Sequence, residues 1–248
     1  MSQSPPRAAL VTGSATGIGR ACAIQLAERG LDIAVNYSKS ESEAQETAAE
    51  VRKRGRRALV CRCDVSDDAA ARAMVGRCAE ELGGLDVLVN NAGFTRFIKH
   101  TDLEALTETI WDRTLAVNLK AAFFCSRAAI PLMQARGGGS IVNVASAAGV
   151  RGSGSSIAYA AAKGGMITMT KSLAAAFAPA IRVNVVCPGP VDTRWMAPVP
   201  DAMAAAVAIT PLKRASTADD IAAAVVFLAL DAAMMTGQCL VVDGGRTM

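Results

Sequence analysis

The feature that most limits the possible folds of this chain is a regular alternation of short aliphatic runs with longer amphipathic or alanine-rich stretches. The short runs have strand length and lie at 8–12, 32–36, 58–62, 86–90, 140–144, 182–187 and 239–242. The longer stretches have helical length and lie at 17–29, 41–54, 67–82, 103–135, 157–177 and 217–230. Because such repetition produces right-handed crossovers between parallel strands, we expect one doubly wound α/β domain over residues 1–248. It should contain about seven parallel strands, with helices on both faces.

The composition fits this architecture and excludes several functions. Hydrophobic residues make up 52% of the chain and aromatic residues only 4%, as expected for an aliphatic core covered on both faces. A net charge of +4 is too small to indicate a nucleic-acid partner. The single histidine, His100, excludes a histidine-based zinc site and a Ser-His hydrolase. We expect no metal.

The cysteines and the chain start indicate a cytoplasmic protein. Seven scattered cysteines without a C-x-x-C pair are typical of reduced thiols. No apolar run reaches the roughly 18 residues of a membrane span, and "MSQSPPRAAL" lacks a signal-peptide core. We therefore expect no membrane association. The stretch 188–211 contains five prolines and is predicted to form a substrate lid.

A glycine-rich turn follows the first predicted strand, in "ALVTGSATGIGRACA". Gly13, Gly17 and Gly19 allow a tight turn, and the following helix can present backbone N–H groups to a pyrophosphate. The spacing is T-G-x-x-x-G-x-G and not the general G-x-G-x-x-G. A turn without a ligand is the alternative interpretation, but the flanking strand and helix favour a dinucleotide site.

The end of the second strand bears on which dinucleotide is bound. About 20 residues beyond the fingerprint, NAD-binding proteins commonly carry an acidic residue that binds the ribose 2′-hydroxyl. Here the neutral Asn36 is followed by Ser38 and Lys39. This pattern favours NADP(H). NAD(H) is the alternative, because Lys39 could be a solvated surface residue and because Thr16 stands at a loop position where a basic residue would have strengthened the case for NADP(H).

Two later strand ends are predicted to lie at the same edge of the sheet. Asp64 in "CDV" is placed to accept a hydrogen bond from the adenine amino group, although a helix cap is nearly as good an explanation. The "NNAG" segment, Asn90–Gly93, is predicted to line the adenosine ribose.

The candidate catalytic residues follow the fifth predicted strand. Ser146 ends this strand, and Tyr159 and Lys163 are four residues apart, so they share a helix face. The ammonium is expected to lower the pKa of the phenol and so make it a general acid and base, with Ser146 bonding the same substrate oxygen. Asn118 is expected to hold a water that passes protons to the lysine. A chance Tyr-Lys spacing is the alternative, and Ser153, Ser155 and Ser156 are alternatives to Ser146.

Taken together, TGSATGIG, Asp64, NNAG, Asn118 in "AVNL", Ser146, the Tyr159–Lys163 pair and "PGPVDT" resemble the short-chain dehydrogenase/reductase family over about residues 8–245. The resemblance implies a Rossmann fold, a catalytic tetrad of Asn118, Ser146, Tyr159 and Lys163, and a homotetramer formed through helices 103–135 and 157–177. It also implies that the cofactor is bound by Gly13, Ser14, Thr16, Gly17, Ile18, Gly19, Asn36, Ser38, Lys39, Asp64, Val65, Asn91, Ala92, Gly93, Tyr159, Lys163, Pro188, Gly189, Val191 and Thr193. Ala145, where many relatives have a second serine, is a departure without expected effect.

The ending "GQCLVVDGG" is similar to the 3-oxoacyl-carrier-protein reductases and to bacterial sugar and polyol dehydrogenases. The resemblance implies an NADP(H)-dependent oxidoreductase that transfers hydride between the nicotinamide and a small-molecule carbonyl or secondary alcohol, with 3-oxoacyl thioesters as one substrate class. The alternatives are an NAD-dependent sugar or polyol dehydrogenase and a non-catalytic NADP-binding regulator. Candidate substrate contacts are Phe94, Thr95, Arg96, Gly149–Gly152, Trp195 and Met196.

Overall fold

The computed structural model describes residues 7–248 and contains a seven-stranded sheet in which every strand pair is parallel. The strand order is β3-β2-β1-β4-β5-β6-β7, which confirms the predicted doubly wound architecture. Residues 1–6 of the predicted domain lie outside the described residues. The strands are β1 Ala8–Val11, β2 Asp32–Tyr37, β3 Ala58–Arg62, β4 Val87–Asn90, β5 Gly139–Val144, β6 Ile181–Pro188 and β7 Cys239–Val242.

The helices follow the predicted alternation, with differences in their interruptions. They are α1 Gly17–Glu28, α2 Glu41–Lys53, α3 Asp68–Leu82, α4 Glu108–Leu115, α5 Ala121–Gln134, α6 Ala147–Arg151, α7 Ile157–Phe177, α8 Pro200–Ala208 and α9 Ala218–Val226. The predicted helix 103–135 begins only at 108, and a π-helical turn at Ala116–Lys120 joins α4 to α5. A second π-helical turn, Phe227–Asp231, extends α9. The short helix α6 was not predicted, and α8 lies inside the predicted lid.

Each face of the sheet has its own apolar layer, because successive strand residues point to opposite faces. On β1, Ala9 and Val11 pack with α1, α2 and α9, whereas Ala8 and Leu10 pack with α3 and α5. All four of these side chains are fully buried. The many alanines on the covering helices allow close approach to the sheet. Helices therefore cover both faces, as predicted.

The continuous helix Glu108–Gln134 is long and apolar enough to cross a membrane by length and composition alone. Half of its most apolar window is buried inside the fold, and its α5 portion packs against α3, β4 and β5. Its position is that of a core helix in this domain.

Arg182 on β6 joins the sheet to the end of the α9 helix. Its guanidinium donates hydrogen bonds to the carbonyl oxygens of Leu228, Ala229 and Ala232 at 2.8–2.9 Å, and a longer one to Met235. The last carbonyls of a helix lack partners within the helix, so this one side chain satisfies several of them at once. Arg182 therefore fixes the turn that leads into β7, the last strand of the sheet along the chain.

We predict that Arg182→Leu lowers the free energy of unfolding by about 2–3 kcal/mol, because carbonyls in the partly buried turn lose a charged donor. Urea denaturation monitored by circular dichroism measures this loss. Arg29→Leu is the matched control at the same helix end, since Arg29 makes an exposed ion pair with Asp231 and such pairs contribute little. Equal losses in the two variants would contradict the anchoring role of Arg182.

Candidate active site

The strand order reverses beside β1, and a cleft of about 810 Å³ opens there along the carboxyl edge of the sheet. Segments that follow all seven strands contribute to its walls. Because all strands are parallel, these loops meet at one edge, where ligands bind in open α/β sheets. Every predicted catalytic or cofactor-binding residue lines this cleft except Ser14, Gly19, Asn118 and the Asn90 of the NNAG segment.

The glycine-rich turn forms the floor of the cleft at the amino end of α1. Gly13 and Gly17 have φ values of 62° and 57°, a left-handed conformation that glycine adopts at little cost. A Cβ atom at Gly13 would lie 2.9 Å from the Cα of Ala92. The N-cap residue Thr16 makes no side-chain capping bond, and the first turn of α1 contains no acidic residue. This uncapped helix start fits a dinucleotide pyrophosphate.

Two predicted cofactor residues shape this turn from beneath and do not line the cleft. The Ser14 hydroxyl donates to the carbonyl of Val11 at 2.7 Å and accepts from the backbone N–H of Asn36 at 3.0 Å. A Cβ atom at Gly19 would lie 2.4 Å from the carbonyl oxygen of Gly13. Ser14 and Gly19 therefore hold the loop in place from beneath the cleft.

The amides of Asn36 and Asn91 have the same supporting role. Asn36 accepts from the N–H of Gly13 at 3.0 Å, and its NH₂ group donates to the carbonyls of Cys61 and Cys63. Asn91 donates to the carbonyls of Thr12 and Gly13. The strand ends are thus tied together through the two amides. Asn36 is 2% exposed, so its amide is used inside the protein.

The end of the cleft that is predicted to take the adenosine contains two cationic side chains. Lys39 is exposed and lines the cleft. The Arg194 guanidinium donates to the Ser40 hydroxyl at 3.0 Å and to the Glu43 carboxylate at 3.2 Å. Sequence reasoning missed Arg194, because it lies on the loop after β6 and is distant along the chain from the second strand.

Asp64 lines the cleft, but its carboxylate already has partners. It accepts from the N–H and hydroxyl of Ser66 and from the guanidinium of Arg113 at 3.0 Å. Burial opposes ionisation of Asp64, yet these hydrogen bonds and the Arg113 charge hold its pKa below the usual value. The expected hydrogen bond to an adenine amino group would have to share this carboxylate with Arg113.

Ser146, Tyr159 and Lys163 come together where β5 ends and α7 begins. Ser146 is the N-cap of α6, and its hydroxyl oxygen accepts from the N–H of Ala148 at 3.1 Å. Helices α6 and α7 pack backbone to backbone, since a Cβ atom at Gly149 would lie 2.5 Å from the carbonyl carbon of Lys163. This close contact fixes the serine relative to the tyrosine and lysine.

The electrostatics of the pair differ from the sequence expectation. The Lys163 ammonium donates to the carbonyl of Val144 at 2.8 Å and lies 5.7 Å from the Tyr159 ring centre. Burial lowers the pKa of Lys163 to about 8. Burial also raises the pKa of Tyr159 to about 12, and a hydrogen bond with Ser146 offsets only part of this effect. The expectation that the lysine lowers the phenol pKa is wrong for the cofactor-free site, because desolvation of the phenolate is the larger effect.

Asn118 lies in the π-helical turn and does not line the cleft. Its amide donates to the carbonyls of Phe94 and Thr114 and accepts from the N–H of Phe94. Asn118 is fully buried. It therefore fixes the segment after β4. π-helical turns are frequent at functional sites.

The substrate half of the cleft has an aromatic wall. Trp195 and Met196 line it, and the Trp195 ring centre lies 6.0 Å from that of Tyr159. Phe94 lines it as well, whereas Thr95 and Gly149–Gly152 do not. Among 7–248, the residues of this half that were missed from the sequence are Phe97, Gly154 and Arg246. Ser153 and Ser155, named above only as alternatives to Ser146, also line it, as do Ala202 and Ala206 of the predicted lid.

Neither arginine expected near the substrate lines the cleft. Arg96 lies over the Phe94 ring, and Arg151 donates to the carbonyl of Arg246 at 2.9 Å. Arg246 takes their place in the wall. The sequence did contain a signal for Arg246. Because β7 is parallel to the other strands, the residues after Val242 lie at the carboxyl edge of the sheet, where the cleft is.

Comparison with known proteins places the chain in a family. Residues 13–247 match the family model described as enoyl-(acyl carrier protein) reductase. The chain is 43% identical over 243 residues to ketoacyl reductase 2 of the granaticin polyketide synthase from Streptomyces violaceoruber, covering 96% of this chain and 94% of that protein. It is 41% identical to cis-4-hydroxycyclohexanecarboxylate dehydrogenase from Sinomonas cyclohexanicum, covering 97% and 96%.

A solved structure gives the same result. A short-chain dehydrogenase/reductase from Burkholderia xenovorans superimposes with a TM-score of 0.92 at 36% identity, covering 98% of this chain and 99% of the other. The glycine turn, the Ser146–Tyr159–Lys163 cluster and these similarities agree. This chain belongs to the short-chain dehydrogenase/reductase family of oxidoreductases.

Proposed function

We propose that this protein is an NADP(H)-dependent oxidoreductase that interconverts a carbonyl and a secondary alcohol, with Tyr159 as the general acid and base. The observation that carries the proposal is the position of Tyr159 and Ser146 in one cleft with an uncapped glycine-rich helix start. The relatives include a ketoacyl reductase and a hydroxycyclohexanecarboxylate dehydrogenase, and both names describe chemistry at a carbonyl or alcohol carbon. 3-Oxoacyl thioesters are the first substrate class to assay.

The protonation states suit carbonyl reduction. With its pKa raised to about 12, the Tyr159 phenol keeps its proton at neutral pH and can donate it to a carbonyl oxygen. The Ser146 hydroxyl accepts from the N–H of Ala148 and has a hydrogen bond with Tyr159, so both hydroxyl groups would bond the same substrate oxygen. A nicotinamide bound beside Tyr159 would supply or accept the hydride.

Lys163 has a positioning role in this proposal. One of its ammonium protons bonds the carbonyl of Val144, and an ammonium has two more donors. These donors are available to the hydroxyls of a cofactor ribose. In the alcohol-oxidation direction the phenol must lose its proton, and a positive charge brought in by the oxidised cofactor would oppose the effect of burial on the Tyr159 pKa.

The preference for NADP(H) rests on the charges at the adenosine end. The only acidic side chain lining the cleft, among residues 7–248, is Asp64, and Arg113 is paired with it. Glu43, close by, is paired with Arg194. No unpaired carboxylate among the cleft residues therefore repels a 2′-phosphate, and Lys39 is available to attract it.

The remaining expectations are assembly and location. A homotetramer would bury the exposed face of α5, where Phe123 is 40% exposed and is stacked with Arg127. Cytoplasmic location and the lack of a membrane partner stay predictions, as does the role of 188–211 as a lid. An NAD-dependent sugar or polyol dehydrogenase and a non-catalytic regulator remain the competing functions. NADPH and NADH oxidation assays with ketones, sugars and thioesters separate these functions.

We predict that Tyr159→Phe lowers kcat for ketone reduction by at least about a hundredfold, because the proton donor is lost. NADPH affinity, measured by fluorescence quenching, should change little, since the ring remains. Tyr37→Phe removes the other phenol of the chain and is the matched control. Activity retained in Tyr159→Phe would rule out the proposed mechanism.

The cofactor preference gives a second prediction. Lys39→Ala should weaken NADPH binding roughly tenfold, through loss of a charged contact to the 2′-phosphate, and should affect NADH much less. Fluorescence titration of both nucleotides measures the difference. Lys99→Ala, an exposed lysine that does not line the cleft, is the control. Equal effects of Lys39→Ala on the two nucleotides would show that the preference is wrong.

The buried lysine gives a pH prediction for the cofactor-free protein. The pKa of Lys163 is lowered from 10.5 to about 8 by folding, so between these values the unfolded chain binds more protons than the folded chain. Stability conferred by this residue therefore rises with pH across that window. We expect the stability of the wild type relative to Lys163→Met to increase from pH about 8 to about 10. Urea midpoints of both proteins measure it, and a constant or falling difference would contradict the lowered pKa.

A further inference from the structure

The walls of the cleft carry a marked excess of positive charge. Among residues 7–248 the lining includes one carboxylate, Asp64, and five cationic side chains, namely Lys39, Arg113, Lys163, Arg194 and Arg246. Three of the five have acceptors within the protein. Arg113 donates to Asp64, Lys163 donates to the carbonyl of Val144, and Arg194 donates to Glu43 and Ser40. Lys39 lies at the adenosine end. Arg246 is therefore the cation in the substrate half whose side chain has no hydrogen-bond acceptor among residues 7–248.

The backbone of Arg246 is held firmly, but its side chain is not satisfied. Its N–H donates to the Asp243 carboxylate at 3.1 Å, and its carbonyl accepts from Arg151 at 2.9 Å. The Nε atom of Arg246 is buried and has no hydrogen-bond partner among the described residues. A buried donor of a charged group is costly to leave unpaired. A donor of this kind in the wall of a cleft indicates a ligand that accepts from it.

Asp243, three residues before Arg246, is a candidate partner for its guanidinium, but the two side chains do not pair. One of its oxygens accepts from the N–H groups of Gly245 and Arg246, while the other is buried without a partner. No ion pair within 4.0 Å joins Asp243 to Arg246. Asp243 packs beneath Gly189, where a Cβ atom would lie 2.6 Å from the Asp243 Cβ, and it does not line the cleft.

Arg246 lies on the side of the cleft where the chemistry is proposed. Arg151, which bonds its carbonyl, ends the short helix α6 that begins after Ser146. The loop that follows α6 touches the tyrosine, since a Cβ atom at Gly154 would lie 3.9 Å from the Tyr159 ring. The guanidinium and the phenol therefore border the same half of the cleft.

We propose that Arg246 binds an anionic oxygen group of the substrate, a carboxylate or a phosphate. The physiological substrates are then keto acids with their hydroxy-acid partners, or thioesters on a phosphorylated carrier, and not neutral ketones. A planar guanidinium suits such groups because it donates two parallel hydrogen bonds. This inference rests on the proposed function for the identity of the reacting group, but Arg246 binds its anion whether or not hydride is transferred.

The test compares charged and neutral forms of one substrate. The first pair is levulinate and methyl levulinate, and the second is acetoacetyl-coenzyme A and S-acetoacetyl-N-acetylcysteamine. NADPH oxidation gives kcat/KM for each compound with the wild type, Arg246→Gln and Arg246→Lys. In Arg246→Gln, the charged-to-neutral ratio should fall roughly tenfold or more for at least one pair, and Arg246→Lys should retain part of it. Arg72→Gln, an exposed arginine outside the cleft, should keep the wild-type ratio.

The two pairs distinguish the sources of the anion. A change confined to levulinate indicates a carboxylate on the reacting molecule, and a change confined to the coenzyme A thioester indicates a carrier phosphate; either supports the proposal. Ratios that are equal in the wild type and Arg246→Gln for both pairs overturn it.

A binding measurement separates this inference from the proposed function. The rise in melting temperature that each compound causes is measured on the NADPH-bound wild type, Arg246→Gln and Arg72→Gln. A larger rise with the charged member of a pair, lost in Arg246→Gln alone, supports the anion site even if no compound is reduced, in which case the proposed function fails. Equal rises with charged and neutral members overturn the site even if turnover is observed.

Discussion

The functional architecture depends on one constraint, which is the reversal of strand order beside β1 in an all-parallel sheet. Strands β2 and β3 extend to one side of β1 and β4–β7 to the other, so the connections leave β1 and β4 toward opposite faces. A crevice opens between them at the carboxyl edge of the sheet. Parallel pairing then delivers the loops after the other strands to the same edge, and residues from 13 to 246 meet in one cleft.

Polar side chains beneath the cleft keep these loops in register. Asn36 and Asn91 bond across neighbouring strand ends, and Asn118 bonds the segment after β4. Buried amides are costly unless all their groups are paired, and the two donors of Asn36 and of Asn91 go to backbone carbonyls. The site is therefore built on a floor that is already rigid. This arrangement also explains why Ser14, Gly19 and Asn118, which were predicted as site residues, support the cleft and do not line it.

The sequence predicted the parallel sheet, its seven strands and the location of the cleft because these follow from local periodicity and from glycines that permit positive φ. The pattern could not predict the π-helical turn at Ala116–Lys120, since a one-residue shift in hydrogen bonding leaves the apolar spacing almost unchanged. The pKa of Tyr159 was also beyond the pattern, because spacing brings Lys163 near the ring but does not report how deeply both are buried. Asp64 differs from expectation for a related reason: its partner Arg113 is far away in sequence.

The charge distribution in the cleft links stability to binding. Lys163 is buried and Arg246 has a buried unpaired donor, and confining positive charges in one partly desolvated cleft disfavours the folded, ligand-free state. An anionic dinucleotide placed near Lys39, and an anionic substrate placed near Arg246, would each relieve part of this cost. Because a ligand that binds only the folded state stabilises it by mass action, the two halves of the cleft each gain from occupancy. On the proposal made above, the positive charge left at the substrate end after the dinucleotide is bound would favour acidic substrates over neutral molecules of the same shape.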